Sequence, residues 1–407
     1  MTEESAAEKV ATVAPGTAPR SRRWVGVATT LIALVLAFTV GAVVMVVSDP
    51  NVVSKFAYFF SRPGDALGAA WDKVVLAFGA LIRGSLGSWG AVTETTAQAT
   101  PLICAGLGVG LAFRAGLFNI GGQGQAIWGA IVGAWIGFSL TGVPMALHIP
   151  LALICAIAFG AAWGGIAGFL KARTGAHEVI STIMLNHIAG GLLGYFLITP
   201  LFQMPGRTDP ISPQVEWTAV LPRLAGTRLH VGFLLALLAA FAVWWLLERT
   251  TLGFQIRAVG HNPHAAETAG MSVGRVTIVA MSLAGGLAGL AGAQMVLAPT
   301  LLTSYPPQLS SGIVGGVGFD AITVALLGRS RPLGIVGAGL LFGAMKAGGL
   351  TMSAEAQTPS ELTALIQALI VLFVAAPKFV TWLVPALRDR RSARPASAPK
   401  SKKEVSA

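Results

Sequence analysis

Along most of this chain, apolar residues run in long unbroken blocks instead of alternating with polar ones. The blocks cover about 24–47, 90–113, 117–139, 149–170, 179–199, 230–247, 276–298, 312–328, 332–351 and 361–377. Each is about 17–25 residues long, enough for an α-helix to cross roughly 30 Å of hydrocarbon. Polar faces with the period of a soluble helix are nearly missing outside residues 50–88. The pattern predicts an all-α polytopic membrane protein of about ten transmembrane helices. The first block runs over 24 residues and ends at Ser48-Asp49-Pro50. A secretory signal has an apolar region of only about 7–15 residues, so this block reads as an uncleaved first helix.

Between the blocks, residues 49–88 contain an amphipathic stretch, Asp65 to Ile82, that is expected to lie along a membrane surface. Residues 200–229 carry Pro200, Pro205, Pro210, Pro213 and Pro222 and read as an ordered loop without regular structure. Residues 248–275 form another polar connection, and residues 1–23 and 388–407 are polar tails, the second basic and expected to be disordered.

Composition agrees with this reading. Of the 407 residues, 54% are hydrophobic and 11% charged, against roughly 25% charged in soluble domains. The 50 glycines suit membrane helices, which approach closely through small residues. The net charge of +11 does not point to nucleic acid, because the basic residues stand at the ends of apolar blocks. They also set an orientation. With the N-terminus inside, 20 of the 28 Lys and Arg lie on the inner side, seven on the outer side, and Lys346 alone within a block. Cytoplasmic segments carry the excess of Lys and Arg, so both termini and the loop 248–275 are expected in the cytoplasm, with 49–88 and 200–229 outside. Cys104 and Cys155 fall inside apolar blocks and read as small buried hydrophobes.

The chain shows no energy-coupling chemistry of its own. No G-x-x-x-x-G-K-[ST] phosphate loop, no G-x-S-x-G elbow and no metal-ligand spacing occurs. Energy is expected from an ion gradient or from a separate subunit. Polar side chains inside apolar blocks then become the candidate chemistry. Asn119, Gln123 and Gln125 lie in Gly116-Leu117-Phe118-Asn119-Ile120-Gly121-Gly122-Gln123-Gly124-Gln125. Intramembrane amides are costly unless they pair across helices or face water, so they are either helix–helix glue or part of a pathway. Asp320 lies in the 312–328 block and Lys346 in the next, antiparallel block. Their expected depths are similar, so they either pair or face one watery cavity; the bland alternative is a snorkelling Lys346. Glu178 is expected to favour a helix N-terminus.

Several stretches together resemble a family. Pro101-Leu102-Ile103-Cys104-Ala105-Gly106 through Gln125, His177 through Ala189 (H-E-V-I-S-T-I-M-L-N-H-I-A), Thr251 through Pro263 (T-L-G-F-Q-I-R-A-V-G-H-N-P), and Gly316 through Gly328 (G-V-G-F-D-A-I-T-V-A-L-L-G) occur in order. They resemble the permease subunits of ABC importers for branched-chain amino acids, ribose-like sugars and nucleosides, with the second stretch similar to the nucleoside branch. The resemblance covers about 85–375; in the family the position of Gln123 is often Glu, and that of His264 often acidic. It implies a permease domain over 24–387 and no enzymatic activity in this chain. It also implies a separate ATPase with two fused cassettes using ATP and Mg, a second permease, and an extracytoplasmic lipoprotein that binds the solute. The implied ATPase-coupling residues are Gly260, Asn262, Ala265, Ala266 and Gly270. The candidate translocation residues are Asn119, Gln123, Gln125, Asn186, Asp320 and Lys346, with Phe118, Trp128 and Trp135 as possible stacking surfaces for a nucleobase. The same family with amino acid or sugar cargo, and an ion-coupled secondary transporter with several intramembrane carboxylates and broken helices, are the competing readings.

Overall fold

The computed structural model describes residues 20–224, 227–298 and 307–376. The tails at 1–19 and 377–407, including the basic segment 388–407, lie outside the described residues. Fourteen α-helices follow in order: α1 Arg20–Ser48, α2 Pro50–Phe56, α3 Pro63–Leu86, α4 Trp89–Arg114, α5 Gly122–Ser139, α6 Met145–Thr174, α7 Glu178–Leu197, α8 Val231–Arg249, α9 Thr251–His261, α10 Pro263–Thr268, α11 Val273–Leu297, α12 Val317–Leu327, α13 Pro332–Ala356 and α14 Ser360–Ala375. Two short strands, β1 Ile211–Gln214 and β2 Gln308–Ser310, pair antiparallel. The fold is all-α and polytopic.

Each of the ten apolar blocks falls on a helix. Seven of those helices are long and apolar enough to cross a membrane: α1 from Thr30, α4, α6, α7, α8, α11 and α13. Of the other three, α5 and α12 are shorter than their blocks. Residues 115–121 are not helical, so α5 starts only at Gly122. The 312–328 block yields just the 11 residues of α12, a rise of roughly 16 Å, or about half a bilayer core. Glycine is the reason. Gly316 precedes α12 with a φ of 80°, a left-handed conformation that stops helix from running in from Gly312.

Packing is organised around α11 and α4. In their apolar windows 72% and 78% of residues are buried, against 17% for α7 and 28% for α8, so the first two form the centre and the others the lipid-facing rim. Hydrophobic burial does not distinguish helix neighbours inside lipid, so close backbone contact must do so. The α11 stripe Gly285, Gly289 and Gly292 serves this purpose. A Cβ on Gly285 would overlap the carbonyl oxygen of Gly160 in α6, and one on Gly292 would overlap that of Ala126 in α5. Gly160, Gly164 and Gly168 repeat at four-residue spacing on α6, so one face of that helix meets α11 along three turns.

Around this centre, α4 seats α13 through Gly343, where a Cβ would overlap the Thr95 carbonyl. The amphipathic segment is the 24-residue helix α3, whose buried face (Ala66, Ala77, Ala80, Leu81, Ser85) docks on α13. Trp71 and Ile82 are exposed on its other side. Lys73 locks this corner: its ammonium lies 2.5 Å from Asp49 and donates to the Ala356 carbonyl at 2.8 Å. Asp49 in turn caps α2 by accepting from the Asn51 amide at 2.8 Å. The segment 200–229 is not irregular throughout, because it holds β1 and a 3-10 turn at Trp217–Ala219. Its backbone reaches Gly137 and Leu297 and so covers the ends of α5 and α11.

Gly292→Val places two methyls and a branch point against backbone that cannot yield, which is expected to cost about 3 kcal/mol or more. Its melting temperature in detergent should fall well below that of Gly190→Val, where nothing lies within 4 Å of the new Cβ; equal melting of the two would refute the packing argument. The hydrogen bond from Lys73 holds the Asp49 carboxyl below its usual pKa, helped by the backbone amides of Asn51 and Val52 and opposed by burial. A depressed carboxylate stabilises the fold above its unfolded pKa and loses that contribution as pH falls through the folded one. Lys73→Met is therefore expected to lower the melting temperature at pH 7 and to flatten its decline at acid pH below about 4; an unchanged pH profile would count against the lock.

Candidate translocation site

The amides singled out by the sequence come together, and most satisfy one another. Asn119 and Gln125 exchange hydrogen bonds at 3.0 and 3.2 Å, and Asn119 also accepts from the Gly121 amide. Asn186 of α7 accepts from the Gly124 amide at 2.8 Å and donates to the Ile120 carbonyl at 2.9 Å. These contacts tie down the non-helical turn that precedes α5. Backbone groups of that turn are buried in the protein, so side-chain amides replace the helical bonds.

Gln123 has a distinct task. Its Oε1 accepts from the Gly318 amide at 3.0 Å while its Nε2 donates to the Val314 carbonyl. Gly316, the residue ahead of α12, has no side chain to cap the helix, so Gln123 of α5 caps it from outside. The amide both donates and accepts here. A carboxylate at this position could accept from Gly318 but could not donate to Val314.

Asp320 sits in the first turn of α12, where the helix dipole favours negative charge. Lys346 of α13 reaches it, with Nζ 2.6 Å from Oδ2 and the side chains 32% and 24% exposed for Lys346 and Asp320 respectively. The two therefore pair, and Lys346 does not snorkel away. Glu178 opens α7 and pairs with Lys171 of α6 at 2.5 Å.

Lys346 also lines a cavity of about 560 Å³. The cavity lies among α4, α11, α13, α14, the residue before α8 and the stretch 308–315, in the half of the bundle near Trp89. Its polar lining includes Gln98, His230, Gln294, Thr363 and Gln367. The sequence reading missed these residues. The signal was present, since Gln294 and Gln367 are amides within apolar blocks like those that were chosen. Of the six translocation candidates only Lys346 lines this space, with Asp320 bound to it; Asn119, Gln123, Gln125 and Asn186 do not. Nor do the three expected stacking residues. Trp128 packs on Trp163 and Phe159, Phe118 packs on Phe113, and Trp135 is exposed on the rim of α5.

At the opposite, Arg114 end stand α9 and α10. Asn262 caps α10 by accepting from the Ala265 amide at 3.1 Å. Gly270, with φ 82°, closes it: its amide donates to Glu267 and that of Met271 to Ala266, the paired bonds of a left-handed glycine stop. Ala266 is buried, whereas Ala265, Glu267 and Gly270 are exposed. Gly260 faces inward, where a Cβ would overlap the Arg114 carbonyl, and so it packs α9 against the end of α4. The loop thus presents a short, small-residue helix to the outside on a rigid base. Among the described residues no group of His, Cys, Asp and Glu is arranged to hold a metal ion.

The family described as "Branched-chain amino acid transport system / permease component" matches residues 91–375. This chain belongs to that permease family. It is therefore a multi-pass membrane transport component. The permease is 38% identical to the guanosine ABC transporter permease protein NupP of Bacillus subtilis, over 88% of this chain and 96% of the relative. It is 34% identical to the nucleoside ABC transporter permease protein NupB of Lactococcus lactis, over 87% and 92%. It is also 34% identical to a glucose ABC transporter permease of Haloferax volcanii, over 78% and 84%. The permease matches the second guanosine and nucleoside permeases of the first two organisms more distantly, at 29% and 26% identity. No solved structure gives a significant match.

Breaking the Asp320–Lys346 contact on either side is expected to cost about 2 kcal/mol, between the values for exposed and buried pairs. D320N and K346M should each lower the melting temperature in detergent, and the double variant should fall short of the sum of the two. Strictly additive losses would mean that the contact carries no energy.

Proposed function

We propose that this chain is the membrane-spanning permease subunit of an ABC importer that carries nucleosides across the cytoplasmic membrane. The observation that carries the reading is the likeness to the guanosine permease over nearly the whole of both chains. The nucleoside permease of Lactococcus lactis supports it. Because two relatives' organisms each hold a second guanosine or nucleoside permease, the partner permease here is a different chain and the assembly a heterodimer. A lipoprotein outside delivers the solute. An ATPase with two fused cassettes inside supplies the energy with ATP and Mg, and this chain binds neither.

On this reading the Arg114 end faces the cytoplasm and the cavity opens toward the outer half of the membrane. The basic residues Arg114, Lys171, Arg173, Arg249, Arg329 and Arg331 cluster at helix ends on that side, as a cytoplasmic face requires. The exposed α10 with Ala265 and Gly270 is the surface on which the ATPase acts, and closure of the ATPases tilts the helices between two discrete arrangements. The glucose permease relative favours a second reading, in which the cargo is a sugar. The half-length α12 suits the ion-coupled alternative, but its intramembrane Asp320 is already neutralised by Lys346, and the relatives are ABC permeases.

Cells lacking this gene are expected to lose uptake of radiolabelled guanosine and to regain it with the native chain. G270V forces a branched residue into left-handed backbone and should lower uptake at least about tenfold while the chain still reaches the membrane. Undiminished guanosine uptake in the deletion strain would remove the nucleoside reading; loss of glucose uptake alone would replace it with the sugar reading.

A further inference from the structure

Three membrane spans end at one place, and the residues that meet there are basic. The span of α1 starts at Thr30, that of α4 ends at Arg114 and that of α13 starts at Pro332. Arg114 Nε donates to the Ser330 carbonyl at 3.0 Å, and Arg329 donates to Thr30 Oγ1 at 3.4 Å. The ends of α4 and α1 thus meet the turn between α12 and α13 through arginine side chains. Arg331 stands exposed in the same turn. The turn is stiff. Arg329 and Ser330 have φ of 53° and 51°, left-handed backbone that glycine adopts freely and other residues only at a cost. Gly328 and Gly334 close it from either side, since a Cβ on Gly334 would overlap the Gly328 carbonyl oxygen. Glycine would fit both left-handed positions without strain, yet the chain places an arginine at one of them, beside two further arginines.

No carboxylate from these elements balances the charge. Residues 20–48, 105–125 and 321–345 contain no Asp or Glu. Among the described residues neither Arg114 nor Arg331 forms an ion pair. Like charges gathered in one place repel, so the cluster favours an anion rich in acceptor oxygens, and the guanidinium fork matches phosphate. Depth and neighbouring surface say which phosphate. The ends of three spans lie where hydrocarbon gives way to headgroups. Next to the cluster on the membrane side, Leu31 and Val35 of α1 are 57% and 64% exposed and Leu333 of α13 is 83% exposed. Leu31 and Val35 are four apart and share one helix face. A soluble anion makes no use of that apolar wall, whereas a phospholipid lays its acyl chains on it. We propose that Arg114, Arg329 and Arg331 form a seat for one anionic phospholipid, with its phosphate among the guanidinium groups and its chains against Leu31, Val35 and Leu333. Basic pockets between membrane helices recognise headgroups in this way. The bound lipid joins α1, which precedes the residues 91–375 matched by the family, to the turn that starts α13. The assignment holds whatever the cargo.

The test uses the full chain purified in detergent, with lipid binding followed by native mass spectrometry. The probes are phosphatidylglycerol and phosphatidylcholine of equal chain length. The native chain is expected to hold phosphatidylglycerol at least about tenfold more tightly than phosphatidylcholine. R331Q and R114Q should each weaken the binding of phosphatidylglycerol about fivefold, the factor for one basic residue beside an anionic headgroup, and leave that of phosphatidylcholine unchanged. R173Q, at an exposed arginine in the last turn of α6, should change neither. R331Q alters an exposed side chain, which guards against a folding defect, and melting in phosphatidylcholine checks R114Q, which loses its bond to Ser330. In a second measurement, phosphatidylglycerol should raise the melting temperature of the native chain and raise that of R331Q clearly less. Equal affinity for the two lipids, or undiminished phosphatidylglycerol binding in both R331Q and R114Q, would overturn the site. An equal loss in R173Q would reduce the effect to general surface charge and overturn it as well. Displacement of the lipid by glycerol phosphate at equal concentration would remove the phospholipid as occupant, because the apolar wall would then contribute nothing. Loss of the ATPase from the purified transporter in R331Q, with lipid binding intact, would assign the cluster to that subunit instead.

Discussion

Backbone-to-backbone contact along α11 is the constraint on which the rest of this permease depends. Inside a bilayer an apolar side chain gains little by leaving lipid for another helix, so ordinary hydrophobic burial cannot choose which helices become neighbours. Glycines at 285, 289 and 292 let α5 and α6 approach until carbonyl oxygens stand where a Cβ would be. That wedge fixes the two ends of α11. Its start follows directly on α10 and Gly270, and its end at Gln294, Met295 and Ala298 forms part of the cavity wall. One continuous helix, α11, therefore runs from beside α10 to the cavity wall.

The amides of the 116–125 stretch show how a membrane protein spends polar side chains on architecture. Sequence reasoning left Asn119, Gln123, Gln125 and Asn186 balanced between glue and pathway. The structure assigns them contacts with one another and with backbone freed by the break before α5. A non-helical turn buried between helices creates donors and acceptors that only protein can satisfy, so a conspicuous cluster of amides beside glycines is the expected signature of such a turn. The polar groups of the cavity have the opposite character. Gln98, His230, Gln294, Thr363 and Gln367 come from four separate apolar blocks or their edges, Thr363 and Gln367 from the same one. Gln294 and Gln367 stand out in one dimension as amides within apolar blocks, but that these five residues line one space exists only once the helices are side by side.

The same reasoning explains which parts of the fold were legible. Block length marks helices because the thickness of the bilayer sets it, and every predicted block holds a helix. Block length does not reveal where a helix stops within the block. The late start of α12 depends on the left-handed backbone of Gly316, and glycine is so frequent in this chain that its presence alone did not mark the site. The strand β1 escaped notice for a related reason. Its segment, Ile211-Ser212-Pro213-Gln214, is short and contains proline, and its partner β2 lies far away in the chain, so pairing and not propensity makes it a strand.

The half-length α12 joins these threads. Its N-terminus ends inside the bundle, where free backbone amides and a partial positive charge would be costly. Gln123 from α5 satisfies one of those amides, and Asp320 places a carboxylate in the first turn. Asp320 then holds the ammonium of Lys346 at the cavity wall. The order of dependence runs in one direction. The glycine wedge positions α5, α5 caps α12, α12 presents Asp320, and Asp320 neutralises the one charged residue lining the cavity among the described residues. A loosened contact at Gly292 would therefore be felt as a change in the electrostatics of a site on other helices, because a lysine released from its carboxylate turns a neutral cavity into a cationic one.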